Sequence, residues 1–228
     1  MKKIFARAGL AAVLVLSTAL VQAQTVTVTG WTFGPNAVNL TAGPETGTTV
    51  AGGFDITTDG FSAPYAGSFY AYCVDLYQGF NGVPSGPMDG YQGVAGVADT
   101  FTVATGGFDG HAAATSARLS QLMTYALPLV QTSAASTSLQ LAIWNVIYDT
   151  DNTVSTGSFA DNSSYDALAN SFLTNSLNTT GTVAINILHS AQRQDFVITP
   201  VPEPSTYALM LAGLAGIGFV ARRRNQQR

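Results

Sequence analysis

Cys73 is the single cysteine in 228 residues, and the chain that holds it reads as exported. A domain that folds outside the cytoplasm without disulfide staples must hold itself together with a hydrophobic core and a hydrogen-bonded scaffold. The export reading rests on the N-terminus, where Lys2, Lys3 and Arg7 precede an apolar run from Ala8 to Val21, followed by Gln22, Ala23 and Gln24. That order of charged, apolar and small residues predicts a secretory signal over 1–23, cleaved after Ala23. A retained membrane helix is disfavoured, because the run is shorter than the roughly 20 residues that span a bilayer.

The other end reads Val201-Pro202-Glu203-Pro204-Ser205-Thr206, an apolar stretch from Tyr207 to Ala221, and then Arg222, Arg223 and Arg224. The prolines keep the entry extended, and the arginines act as a stop that stays on the cytoplasmic side. The apolar stretch is short for a stable span and suits a transient anchor in the inner membrane. Residues 201–228 resemble the PEP-CTERM sorting signal of Gram-negative bacteria, with Pro202, Glu203 and Pro204 as the motif. The resemblance implies recognition by an exosortase and transfer toward the cell surface or extracellular matrix.

Between the two ends, residues 24–200 suffice for one domain with a real core. Two basic residues, Arg118 and Arg193, face twelve acidic ones there, a formal charge of about −10 with no lysine. Such a balance disfavours nucleic acid and anionic membrane surfaces as partners. Abundant Gly, Thr, Ser, Val and Ala with few charges favour a strand-rich extracellular domain.

Thr25 to Thr29 alternates polar and apolar residues and predicts a strand running toward Trp31 and Phe33; Ala37 to Leu40 predicts a second. The glycines at 43, 47, 52 and 53 mark turns. Phe69 to Leu76 is the clearest strand, with Tyr70, Tyr72 and Val74 on one face and Ala71, Cys73 and Asp75 on the other. Residues 77–98 read as a loop, and Phe101 to Val103 as a short strand. Ala112 to Leu127 has helical spacing with Arg118 and Gln121 on its outer side, and Pro128 marks its end. A Ser/Thr-rich link from Thr132 to Ser136 leads to a helix over Thr137 to Tyr148, where Gln140, Trp144 and Tyr148 stack. A polar turn from Asp149 to Ser164, a helix from Tyr165 to Leu177 and strands at Val183 to Leu188 and Gln194 to Thr199 complete the domain. The expected class is α+β: a β-sandwich or barrel-like sheet scaffold with a helical insertion.

Two segments carry the chemistry, Phe69-Tyr70-Ala71-Tyr72-Cys73-Val74-Asp75-Leu76 and Leu139-Gln140-Leu141-Ala142-Ile143-Trp144. Over Phe69 to Thr150 they resemble the thioester domains of bacterial surface adhesins, in which a cysteine follows an aromatic residue and a glutamine opens a Gln-x-Ala-Ile-Trp segment. A wall-linked stalk is absent here and the PEP-CTERM tail stands in its place. The resemblance implies an internal thioester between Cys73 and Gln140, formed with loss of ammonia. Tyr70, Tyr72 and Trp144 would exclude water from it. A lysine amine or a polysaccharide nucleophile would then displace the sulfur once, making the chain a covalent adhesion module that needs no cofactor and is not an enzyme.

Other readings stay open beside it. Cys73 fits a buried small hydrophobe in a non-covalent exopolysaccharide or coat protein, or an interchain disulfide. Asp75 with Asp149 would serve a carbohydrate-active enzyme if placed across a cleft. His111 and His189 are too few for a zinc site. Asp149, Asp151 and Asn152 suit a solvated acidic turn better than a calcium loop, since the terminal glutamate of an EF-hand is missing. Ser85-Gly86 and Ser205 lie in no nucleophile elbow.

Overall fold

The computed structural model describes residues 23–42, 45–97, 112–149 and 151–200. The signal over 1–23 (all but its last residue), the strand at Phe101 to Val103, His111, the sorting motif Pro202, Glu203 and Pro204, and Arg222, Arg223 and Arg224 lie outside them. Among the described residues no helix is long and apolar enough to cross a membrane.

The fold is α+β, with helices packed on an open, half-barrel-like sheet. Nine strands are described: β1 (Thr25–Trp31), β2 (Asn36–Ala42), β3 (Glu45–Ala51), β4 (Phe54–Asp59), β5 (Gly67–Cys73), β6 (Tyr91–Ala95), β7 (Phe159–Asp161), β8 (Asn186–Ser190) and β9 (Phe196–Pro200). The helices are α1 (Ala112–Ala126), α2 (Ser133–Tyr148) and α3 (Asp166–Ser176), with a 3-10 turn at Leu127–Leu129. One sheet runs β1-β4-β5-β9-β8-β6 and a smaller one β3-β2-β7, with antiparallel neighbours throughout.

The larger sheet curls toward closure. Met88 bridges Val26 on β1, with backbone hydrogen bonds of 2.8 Å in both directions, and Ser85 N–H donates to the Val28 carbonyl at 2.8 Å. Ser85 Oγ in turn accepts from Val28 N–H at 2.9 Å. The chain then enters β6, the opposite edge, at Tyr91. The segment thus satisfies an edge that would otherwise invite pairing with another chain.

Helix α2 is the centre of the molecule. Every residue from Ala135 to Ile147 is buried, as expected of a helix packed on all sides. It touches α1, α3, β2, β3, β5 and β7. Thr132 caps its N-terminus, accepting from Ala135 N–H at 3.2 Å. The stretch expected to link two helices is therefore mostly helix, and hydroxyls along the first turns of α2 find strand and loop partners. Ser136 Oγ accepts from Gly53 N–H at 2.8 Å, Thr137 donates to the Ala51 carbonyl at 2.9 Å, and Ser138 donates to the Tyr165 carbonyl at 3.0 Å. A side chain at Gly53 would press on the Tyr72 ring, so only glycine allows this approach.

Several expected loops are strands. β3 runs through Gly47, where a turn was expected, while Gly52 and Gly53 do fall between β3 and β4, and β6 falls within the expected 77–98 loop. Pairing explains each: β3 lies along β2, β4 is clasped between β1 and β5, and β6 lies along β8. Gly93 belongs in β6 because a Cβ there would collide with the Tyr65 ring. Arg118, expected on an outer face, is drawn inward instead. Its guanidinium donates to Asn152 Oδ1 at 3.1 Å, Ser176 Oγ at 2.9 Å and the Leu173 carbonyl at 2.6 Å, tying α1 to the end of α3.

Candidate functional site

Strand β5 ends at Cys73, and its last residues leave the sheet beside the β8–β9 turn. Val74 N–H donates to the Asp195 carbonyl at 3.0 Å, and Leu76 N–H to the Tyr148 hydroxyl at 3.0 Å. Asp75 Oδ1 accepts from Tyr77 N–H at 2.8 Å, which turns the chain into a strap over 76–83. Between this strap, the ends of β1, β3 and β4, and helix α2 lies a cleft of about 550 Å³, within the range of small-ligand sites. Its walls carry Trp31, Phe54, Tyr77, Phe80 and Trp144, with Thr49, Asp75, Gln78 and Gln194 as the polar complement. Trp31 packs on Phe54 as a tilted pair at 4.3 Å, and Phe80 meets Phe54 and Phe196 edge-on at 5.3 and 5.4 Å.

Cys73 lines the cleft and meets Gln140, as the sequence suggested, but they meet as a hydrogen-bonded pair. Gln140 Oε1 accepts from Cys73 N–H at 2.9 Å, and Gln140 Nε2 donates to the Cys73 carbonyl at 2.8 Å. Both ends of the carboxamide are spent on the backbone of one residue, its N–H and its carbonyl. Cys73 is a free, buried thiol. Burial, and secondarily the Asp75 charge, push its pKa far up, which suppresses the thiolate that thioester formation would need.

The expected water-excluding wall is divided. Trp144 lines the cleft with Cys73. Tyr70 and Tyr72 instead line a separate groove with Thr32, Phe33, Leu127, Pro128, Val130 and Thr199. Tyr72, pushed up to about 12 by burial against a weaker opposing hydrogen bond from Ser136, stays a neutral phenol. Sequence reasoning passed over the strap aromatics Tyr77 and Phe80 together with Gln78. Their signal is two large aromatics within a glycine-rich stretch directly after the strongest strand.

The carboxylates sort by environment. Asp149 accepts from the N–H groups of Ser158 and Phe159, and Asp151 from Asn145 Nδ2 at 3.1 Å and Thr153 N–H at 3.0 Å, so both fold the 149–159 loop. Asp75 is the one carboxylate among the cleft-lining residues, and Asp149 does not face it there. Burial raises the Asp75 pKa against the nearby N–H groups of Tyr77 and Gln78, the Tyr148 hydroxyl and His189. Burial, then the hydrogen bond and charge of Asp161, raise Asp166 to about 7. Burial raises Asp195 to about 6 against its contacts with His189, 2.9 Å away, and Ser190 N–H.

A pH dependence follows. These three groups hold protons in the folded chain that the unfolded chain releases near its ordinary carboxylate pKa of about 4. Between pH about 4 and 7 the folded state binds more protons, so stability falls as pH rises through that window. Thermal melts are expected to give a higher midpoint at pH 5 than at pH 8, with Asp166→Asn flattening the profile. A midpoint that climbs from pH 5 to pH 8 would contradict the assignment.

Residues 200–224 match the PEP-CTERM protein-sorting motif. The motif marks the chain for extracytoplasmic export and surface targeting as an exosortase-type signal. No curated protein and no solved structure matches the chain. The thioester reading is corrected by the cysteine itself: the single cysteine is free and buried, which fits a structural role. The covalent adhesion function and the covalent lysine or polysaccharide partner fall with it.

Proposed function

We propose that the chain is a non-covalent structural protein of the exopolysaccharide matrix or cell surface, sorted there by an exosortase, with Cys73 as a buried structural residue. The observation that carries this reading is the sorting motif, which begins at the last residue of β9 and delivers the acidic domain to a polysaccharide-rich exterior. The sorting machinery implies a Gram-negative cell, with the inner membrane as a way-station. The domain acts there by binding, without turnover. Its low positive charge suits neutral glycans better than acidic ones, since uronate chains would meet repulsion.

The test uses the exported protein purified from cells. It is expected to sediment with the exopolysaccharide of those cells and to be released intact by denaturant. Its mass should equal that of the processed sequence, and one thiol should titrate only after unfolding. A mass one ammonia short, or adducts that survive denaturant, would overturn the non-covalent reading.

A further inference from the structure

Three buried polar atoms without a hydrogen-bond partner belong to residues that line one cleft: Asp75 Oδ2, Gln78 Oε1 and Trp144 Nε1. A buried unpartnered polar atom is costly, on the order of 1–3 kcal/mol, and natural folds keep few of them. Three on residues that line a single concavity suit a ligand that donates to two oxygens and accepts from one indole N–H. An ammonium supplies donors alone and cannot satisfy Trp144. A carboxylate supplies acceptors alone and would face Asp75. Neighbouring hydroxyls of a sugar do both, because each donates one bond and accepts others. The aromatic wall supplies the second requirement of a pyranose, a flat apolar surface for its C–H face, in the partly buried Trp31 and Phe80.

The geometry points to the cleft as a binding site for one neutral hexopyranose unit of the matrix polysaccharide. Trp31 and Phe80 carry the ring face, and Asp75, Gln78 and Trp144 bond its hydroxyls. This inference rests on the matrix-binding reading above and gives it a site. The three atoms are shielded from solvent, so the sugar enters by opening the strap over 76–83, which closes again over it with Gln78 and Phe80 in contact. That strap is half-buried to exposed and is interrupted by Gly79 and Gly82.

The two tryptophans of the chain are Trp31 and Trp144, and both line the cleft, so intrinsic fluorescence reports on this site. Titration of the exported protein with neutral hexose oligosaccharides is expected to shift that fluorescence saturably, and oligouronates are expected to bind more weakly. By calorimetry, Gln78→Ala and Trp144→Phe should each weaken binding roughly fivefold or more. Gln78 sits on the half-buried strap and Trp144→Phe keeps an aromatic ring, so both variants are expected to fold, as a circular dichroism spectrum will check. Unchanged affinity in both folded variants, or a site that takes only ammonium-bearing sugars, would overturn the cleft assignment. Sedimentation with matrix polysaccharide separates the two claims: if it persists while the cleft variants bind normally, the matrix reading stands and the site fails. If it is lost in the wild-type protein, both fail.

Discussion

Replacing Gln140 with alanine is expected to destabilise the domain by about 2–5 kcal/mol, read as a shift in the denaturation midpoint. The side chain is 1 % exposed and sits in the middle of α2. Its two hydrogen bonds are the clip between the central helix and the last residue of β5. Alanine leaves the N–H and carbonyl of residue 73 buried and unpaired at a place where β5 has run past the end of its ladder with β4, which stops at Ala71. It also opens a cavity beside Trp144. The same pair predicts an asymmetry, because the clip uses the peptide of residue 73 and leaves the sulfur out. Cys73→Ala removes only a small buried side chain and should cost about 1–2 kcal/mol, with both hydrogen bonds kept. Equal losses in the two variants would mean that the thiol, and not the peptide, carries the contact.

Phe196→Ala is expected to cost about 3–5 kcal/mol and to weaken sugar binding at the cleft as well. Phe196 is fully buried and opposes Cys73 across the β5–β9 ladder. Its ring meets Phe54, Phe80 and Tyr91 at centroid distances of 5.9, 5.4 and 6.2 Å. Phe80 leans on it from the strap, so truncation removes the support of a cleft wall together with core volume. Tyr91, whose hydroxyl donates to the Gln194 carbonyl at 2.9 Å, would lose its stacking neighbour. A variant with near-native stability would show that Phe54 and Tyr91 close the gap unaided. Phe196→Leu should recover most of the stability and less of the binding, since it restores volume without the flat face.

The elements legible in the sequence are those with strong local periodicity. Alternation in β1, the dense aromatic run of β5 and the helical spacing of α1 and α3 each placed an element within a few residues of its observed bounds. The exceptions share a cause. β3 and β4 are rich in threonine and β3 and β6 are interrupted by glycine, and their strand state is supplied by pairing with neighbouring strands. Residues 133–136 read Ser-Ala-Ala-Ser, and serine locally favours a link or cap. They are helical because Thr132 caps the first turn and Gly53 N–H donates to the Ser136 hydroxyl, which would otherwise compete for its own backbone.

The site divides in the same way. Flanking patterns brought Cys73 and Gln140 to attention, and the fold does place them together. The nature of their contact was not legible, since a reactive pair and a hydrogen-bonded clip use the same two residue types. Tyr70 and Tyr72 were assigned to the Cys73 wall from proximity in sequence, yet they line a different groove from Cys73. The strap aromatics were invisible as a site because a loop has no period from which to read a face.

By itself the sequence determined the sorting end, the acidic lysine-free middle and the α+β class, because composition and short-range periodicity act locally and survive without a fold. Tertiary structure alone decided that Gln140 spends both ends of its amide on the backbone of one residue, and that Asp75, Gln78 and Trp144 gather around a single aromatic cleft. Those groups are separated by up to 69 positions in the chain, and only burial in a shared low-polarity space gives their hydrogen-bonding needs a joint meaning.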